Sequence, residues 1–79
     1  MEKSITTPAY AKLLRVLREA RTTAGLSQQQ LAECLDEPQS FVSKYESGTR
    51  RLDLVELREI AAALGLSLNT LVSRFEEDL

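Results

Sequence analysis

A chain of 79 residues with 43% hydrophobic and 28% charged residues has the balance of one soluble globular domain. It sits near the lower size at which a core sustains itself, so dimerisation would add stability. A net charge of −2 argues weakly against a nucleic-acid partner, and no apolar run approaches the roughly 20 residues that span a bilayer.

The charge is unevenly placed. Glu76, Glu77 and Asp78 cluster near the C-terminus, and without them the count rises from −2 to +1. Lys12, Arg15, Arg18 and Arg21 crowd the first predicted helix, and Lys44, Arg50 and Arg51 cluster later. A local basic surface matters more than the total. Lys12, Arg15 and Arg18 equally suit an ordinary solvated helix face. MEKSITT is too short and polar for a signal peptide, and the single Cys34 forms no internal disulfide, so a reducing cytoplasm is expected. Cys34 reads as a semi-buried helix residue. With no histidine, no metal-ligand cluster and no phosphate-cradling glycine loop, no enzyme activity, metal or cofactor is expected. Glu56 and Glu59, or Glu76 and Glu77, read as a capping residue and solvated charges rather than catalytic carboxylates.

The predicted elements follow in chain order. Thr7-Pro8 reads as N-cap and first helical residue, and Tyr10, Leu13, Leu14, Leu17 and Ala20 form an apolar stripe up to Gly25. Ser27 with Gln30 is a capping box opening a short second helix. After Asp36-Glu37-Pro38 a third helix runs to Gly48. Asp53 with Glu56 opens a fourth, whose looser stripe is Val55, Leu57, Ile60, Ala61 and Leu64, ending at Gly65. Ser67 caps a fifth, striped by Leu68, Leu71, Val72 and Phe75. Helices are thus expected near 8–24, 27–35, 38–47, 53–64 and 67–77, with no strand. Residues 1–7 form a short tail and 8–77 one all-α domain.

Residues 27–47 read as a helix-turn-helix: two short helices, a tight link, and an apolar seam of Leu31, Ala32, Leu35, Val42 and Tyr45. The link lacks the usual glycine; Asp36 and Pro38 supply other turn chemistry. On a wheel at about 100° per residue, Pro38, Phe41, Val42 and Tyr45 share one side of the third helix. Gln39, Ser40, Ser43, Lys44 and Ser47 fill the other, with Glu46 on the border. Such a polar face suits the DNA major groove, because Gln pairs with adenine N6 and N7, Lys with guanine O6 and N7, and Ser with either base. Ser27, Gln28 and Gln29 open the preceding helix, where side chains and unpaired backbone N–H groups suit a phosphate. Arg50 and Arg51 stand where they would grip the backbone, or where they are solvated loop charges.

These blocks carry a resemblance. Gly25-Leu26-Ser27-Gln28, Leu31-Ala32, Val42 through Gly48, Leu57 and Ala61 through Gly65, at unbroken spacing over about residues 12–76, are similar to the lambda repressor and Cro helix-turn-helix family, the XRE family. The resemblance implies a compact five-helix lambda-repressor-like domain whose third helix reads the major groove. It implies base contacts from Gln39, Ser40 and Lys44, a base or backbone contact from Ser43, and phosphate contacts from Gln28, Arg50 and Arg51. It implies a structural ion pair between Arg21 and Glu46 that orients the reading helix. Tyr45 and Phe41 are expected to pack, with the Tyr45 hydroxyl at the rim.

Members of the family usually dimerise on two half-sites of double-stranded DNA, which makes a homodimeric repressor or controller on a palindromic operator the first reading. The sequence ends soon after the fifth helix, so the interface is expected there, with Phe75 and Leu79 as its candidates and Leu68, Leu71 and Val72 assigned to the core. Two other readings fit the residues: an antitoxin that binds a toxin and represses its own operon, and a protein-interaction module whose DNA face is unused.

Overall fold

The computed structural model describes residues 7–78, and Leu79, one of the two expected interface residues, lies outside them. Five helices follow one another: α1 (Pro8–Thr23), α2 (Gln28–Cys34), α3 (Gln39–Ser47), α4 (Leu54–Ala63) and α5 (Leu68–Glu76), with no strand among the described residues. Each lies inside the range expected from sequence, chiefly because the cap residues belong to the turns.

The caps explain the boundaries. Thr7 Oγ1 accepts the Tyr10 N–H at 3.1 Å, and Pro8 stands at the first helical position, where its missing N–H removes nothing from the helix. Both capping boxes close: Ser27 with Gln30, and Asp53 with Glu56, exchange side-chain and backbone hydrogen bonds in both directions. Ser67 Oγ accepts the Thr70 N–H. The α3 helix is the exception. It starts at Pro38 without a side-chain cap. It stops at Gly48, which takes φ of +86° so that the Gly48 and Thr49 N–H groups reach back to Tyr45 O and Lys44 O. Asp36, in the link between α2 and α3, adopts φ of +57°, the left-handed conformation that glycine would take without strain.

The core collects Val16, Leu17 and Ala20 from α1, Leu31 and Ala32 from α2, and Val42 and Tyr45 from α3. Ile60 and Ala61 of α4, Leu64 just beyond it and Leu71 of α5 complete it. Packing joins α2 to α3, α1 to both α3 and α5, and α4 to α5. The apolar seam of the helix-turn-helix thus seats α3 on α1 and α2 by one side only.

Four expectations are corrected. Val55, assigned to the stripe of α4, is 58% exposed, because its place at the second position of the helix turns it away from the Ile60 side. Val72 is exposed rather than core, on the flank of α5 away from Leu71. Cys34 is exposed at the last position of α2. The Tyr45 ring is wholly buried and its hydroxyl lies inside with it, without a hydrogen-bond partner among the described residues. Desolvation therefore raises the Tyr45 pKa far above its ordinary value, with nearby Glu46 adding to the rise.

Candidate nucleic-acid interface

Gln39, Ser40, Ser43, Lys44 and Ser47 are all exposed along α3, while Val42, Tyr45 and Glu46 are buried. Phe41 is half-buried and meets the Tyr45 ring edge-on, with centroids 5.5 Å apart. The division of α3 into a packed and a free side follows the helical period: residues 38, 41, 42 and 45 turn one way.

Glu46, at the border of the wheel, is 4% exposed and receives hydrogen bonds from two elements. Arg21 Nε donates to Oε2 at 2.7 Å and Arg21 Nη2 donates to Oε1 at 3.1 Å. Gln28 Nε2 donates to Oε1 at 3.0 Å. Arg21 Nη1 also donates to Leu26 O at 2.9 Å, so one guanidinium ties α1, the α1–α2 turn and α3 together. The hydrogen bond to Glu46 raises the Arg21 pKa above its ordinary value and holds the charge on.

The chain of contacts continues. Gln39 Nε2 donates to Gln28 Oε1 at 3.4 Å, a long bond that links the first residue of α3 to the first of α2. A line therefore runs from Gln39 through Gln28 to Glu46 and Arg21, along one flank of α3. The Gln28–Glu46 bond was not legible in the sequence, because it joins residues 18 apart with no common period. Gln28 was expected to face a phosphate. Its side chain lies between Gln39 and Glu46, and its backbone N–H, in the first turn of α2, has no helical acceptor. The Ser27 and Gln30 N–H groups are already taken by the capping box. Gln29 donates to Glu33.

The two loop arginines part ways. Arg50 forms a two-pronged ion pair with Glu56, at 3.2 and 2.8 Å, and its guanidinium stacks over the Phe41 ring at 4.8 Å. The Arg50 hydrogen bond is the chief reason the Glu56 carboxyl titrates below its ordinary value, with the Asp53 N–H adding to it. Arg50 thus braces the loop against α3 and α4. One carboxylate serving both the Asp53 N–H and Arg50 is visible only in three dimensions. Arg51 is exposed, with its guanidinium 5.0 Å from the centroid of the Tyr10 ring.

The helix-turn-helix family model matches residues 17–71, which spans every element from mid-α1 to α5. The chain belongs to the XRE-type helix-turn-helix family. This helix-turn-helix chain is 35% identical over 69 residues to Control protein C.MunI of a Mycoplasma species, covering 87% of this chain and 90% of that one. It is 44% identical to a solved XRE-family-like protein from Pseudomonas syringae pv. tomato str. DC3000, with a TM-score of 0.81 over 86% of this chain and 83% of that one. As an XRE-type protein the chain is a DNA-binding transcriptional regulator. Among the described residues no helix is long and apolar enough to cross a membrane.

Proposed function

We propose that this regulator acts as a homodimeric repressor or controller that reads a palindromic operator through α3. The observation that carries the reading is the side chain of Gln39. It is exposed at the start of α3 and held through Gln28 by a buried ion pair, an arrangement that packing does not need. One Nε2 hydrogen faces Gln28, leaving the second hydrogen and Oε1 for adenine N7 and N6. A pre-held amide loses less rotational freedom on binding. Ser40, Ser43 and Lys44 supply further base contacts, and Ser27, Gln28, Gln29 and Arg51 hold phosphates. Arg50 does so only in competition with Glu56.

The dimer follows from the size of the reading surface. One α3 covers a few base pairs, and two copies reading half-sites about 34–36 Å apart supply the missing specificity. Leu54 and Val55, 65% and 58% exposed at the start of α4, offer a surface for the second copy. A separate apolar groove between α1, α4 and α5 is lined by Leu13, Leu57, Leu68, Val72 and Phe75. Glu76 is the one charged residue among the described residues that line it. The expectation for Phe75 is kept as part of this groove.

The test is competition binding. DNA from upstream of the gene is titrated with the native protein and with Gln39→Ala/Lys44→Ala, against unrelated DNA. Selective binding that disappears in the folded double variant supports the reading. Equal binding to both DNAs by the native protein refutes it.

A further inference from the structure

We infer that Arg15 and Arg18 of α1 form a second anchoring site for the DNA backbone, taking a sugar–phosphate unit beside the C-terminal end of α3. This rests on α3 being the base-reading helix.

Arg15, Arg18 and Arg21 follow one another at intervals of three, so their side chains are neighbours along α1, with about 5–6 Å between successive Cβ atoms. They differ in what they face. Arg21 spends its donors on Glu46 and Leu26 O. Arg18 Nε stands 3.9 Å from the same Glu46 carboxylate, beyond hydrogen-bond reach, with its side chain 61% exposed. Glu46 and Arg21 already cancel each other's charge, so the charge of Arg18 is left over. Arg15 is exposed beside it.

Arg15 and Arg18 line a shallow groove between α1 and the end of α3, together with Ala11, Leu14, Glu19 and Glu46. The two guanidinium groups suit a phosphate, and Ala11 and Leu14 suit the carbons of a deoxyribose. A protein or small anion would use the cations alone; a sugar–phosphate unit uses both halves of the groove. Position supports the same occupant. A helix of about 10–12 Å diameter fills a major groove about 12 Å wide, so whatever flanks it faces a backbone strand. The flank of α3 traced from Gln39 through Gln28 to Glu46 continues directly to Arg18. The phosphate track that begins at the start of α2 thereby extends onto α1. Glu19, four residues after Arg15, is the one acid in the groove not already held by Arg21, and it weakens the site's field.

The experiment measures the affinity of the native protein and its variants for two duplexes, one from upstream of the gene and one of mixed sequence, across a salt series. Each phosphate contact contributes about 0.9 to the slope of log affinity against log salt, or about eightfold at 0.1 M. Arg15→Ala/Arg18→Ala is expected to lose up to two such steps on both duplexes, leaving the ratio between them unchanged. Arg18→Lys keeps the slope, and Glu19→Gln tightens both duplexes at low salt. Gln39→Ala behaves in the opposite way, losing the ratio and keeping the slope. Circular dichroism and melting of Arg18→Ala match the native protein, since the side chain is largely in solvent. A double variant with native affinity and slope overturns the inference while leaving the reading of α3 intact. A native protein that binds neither duplex at low salt overturns both.

Discussion

Replacing Glu46 by alanine tests the link between stability and reading most directly. The carboxylate is buried, and it accepts two bonds from Arg21 and one from Gln28. Alanine removes both acceptor oxygens, and with them all three bonds, and leaves Arg21, itself mostly enclosed, with Leu26 O as its remaining hydrogen-bond partner among the described residues. Breaking one side of a buried pair typically destabilises by about 3–5 kcal/mol. At roughly 0.05–0.15 kcal/mol per residue, a domain of this size holds about 4–12 kcal/mol in all. Glu46→Ala should therefore remove between a quarter and all of the stability. The assay is urea unfolding followed by helical circular dichroism, at one fixed protein concentration because of the proposed dimer. Arg21→Met and the double replacement Arg21→Met/Glu46→Leu complete the set. The double variant should recover most of the loss, because apolar residues of similar volume often replace a buried pair at little cost. It should not recover operator selectivity, because Gln28 no longer has the carboxylate that holds it against Gln39. A loss below about 1 kcal/mol for Glu46→Ala, or losses that simply add in the double variant, would refute the reasoning.

The other predictions concern single features. Tyr45→Phe removes a buried hydroxyl without a partner among the described residues and should stabilise the protein by up to about 1–3 kcal/mol, read as a raised melting temperature. The Tyr45 pKa is raised in the folded state, so its contribution is complete below the unfolded value near 10 and is lost above it; Tyr45→Phe should flatten that alkaline decline. The Glu56 pKa is lowered instead, so its contribution is present above the ordinary value of 4.5 and is lost as pH falls below it. Glu56→Gln should accordingly weaken the acid dependence of stability, measured as melting temperature against pH. Asp36→Gly should hold or raise stability by up to about 1 kcal/mol, and Asp36→Val should lower it by about 1–2 kcal/mol, because a branched side chain resists positive φ. Leu54→Asp/Val55→Asp should shift a sedimentation profile to monomer with unchanged circular dichroism; an unaltered dimer would exclude this surface.

Most of the fold was legible because its boundaries are local. Thr7-Pro8, the two capping boxes and the glycines act within one helical turn of the residues that carry them, and each marks the helix end expected of it. The seam of Leu31, Ala32, Val42 and Tyr45 was legible for a similar reason, since its residues lie on short helices with a tight link. What was hidden depends on distance in the chain. Nothing in SQQQ indicates that Gln28 meets an acid at position 46, nor in TRRLDLVE that Arg50 is committed to Glu56 rather than free. Val55 and Val72 were misplaced because a loose stripe admits residues that the helix turns to a flank rather than inward. The Tyr45 hydroxyl was misplaced because the depth of a core is a sum over α1, α2 and α3, not a property of the α3 wheel.

The split of α3 into a packed and an open side also bears on how such a protein changes its target over evolutionary time. Ser40, Ser43 and Lys44 are exposed, so under the proposed reading exchanges there would alter what is read without taxing the fold, and new operators would lie one or two substitutions away. Gln39 differs, because its amide is joined to Gln28 and through it to the carboxylate that secures the helix. Drift in the operator should therefore be faster at the base pairs met by the middle of α3 than at the one met by its first residue.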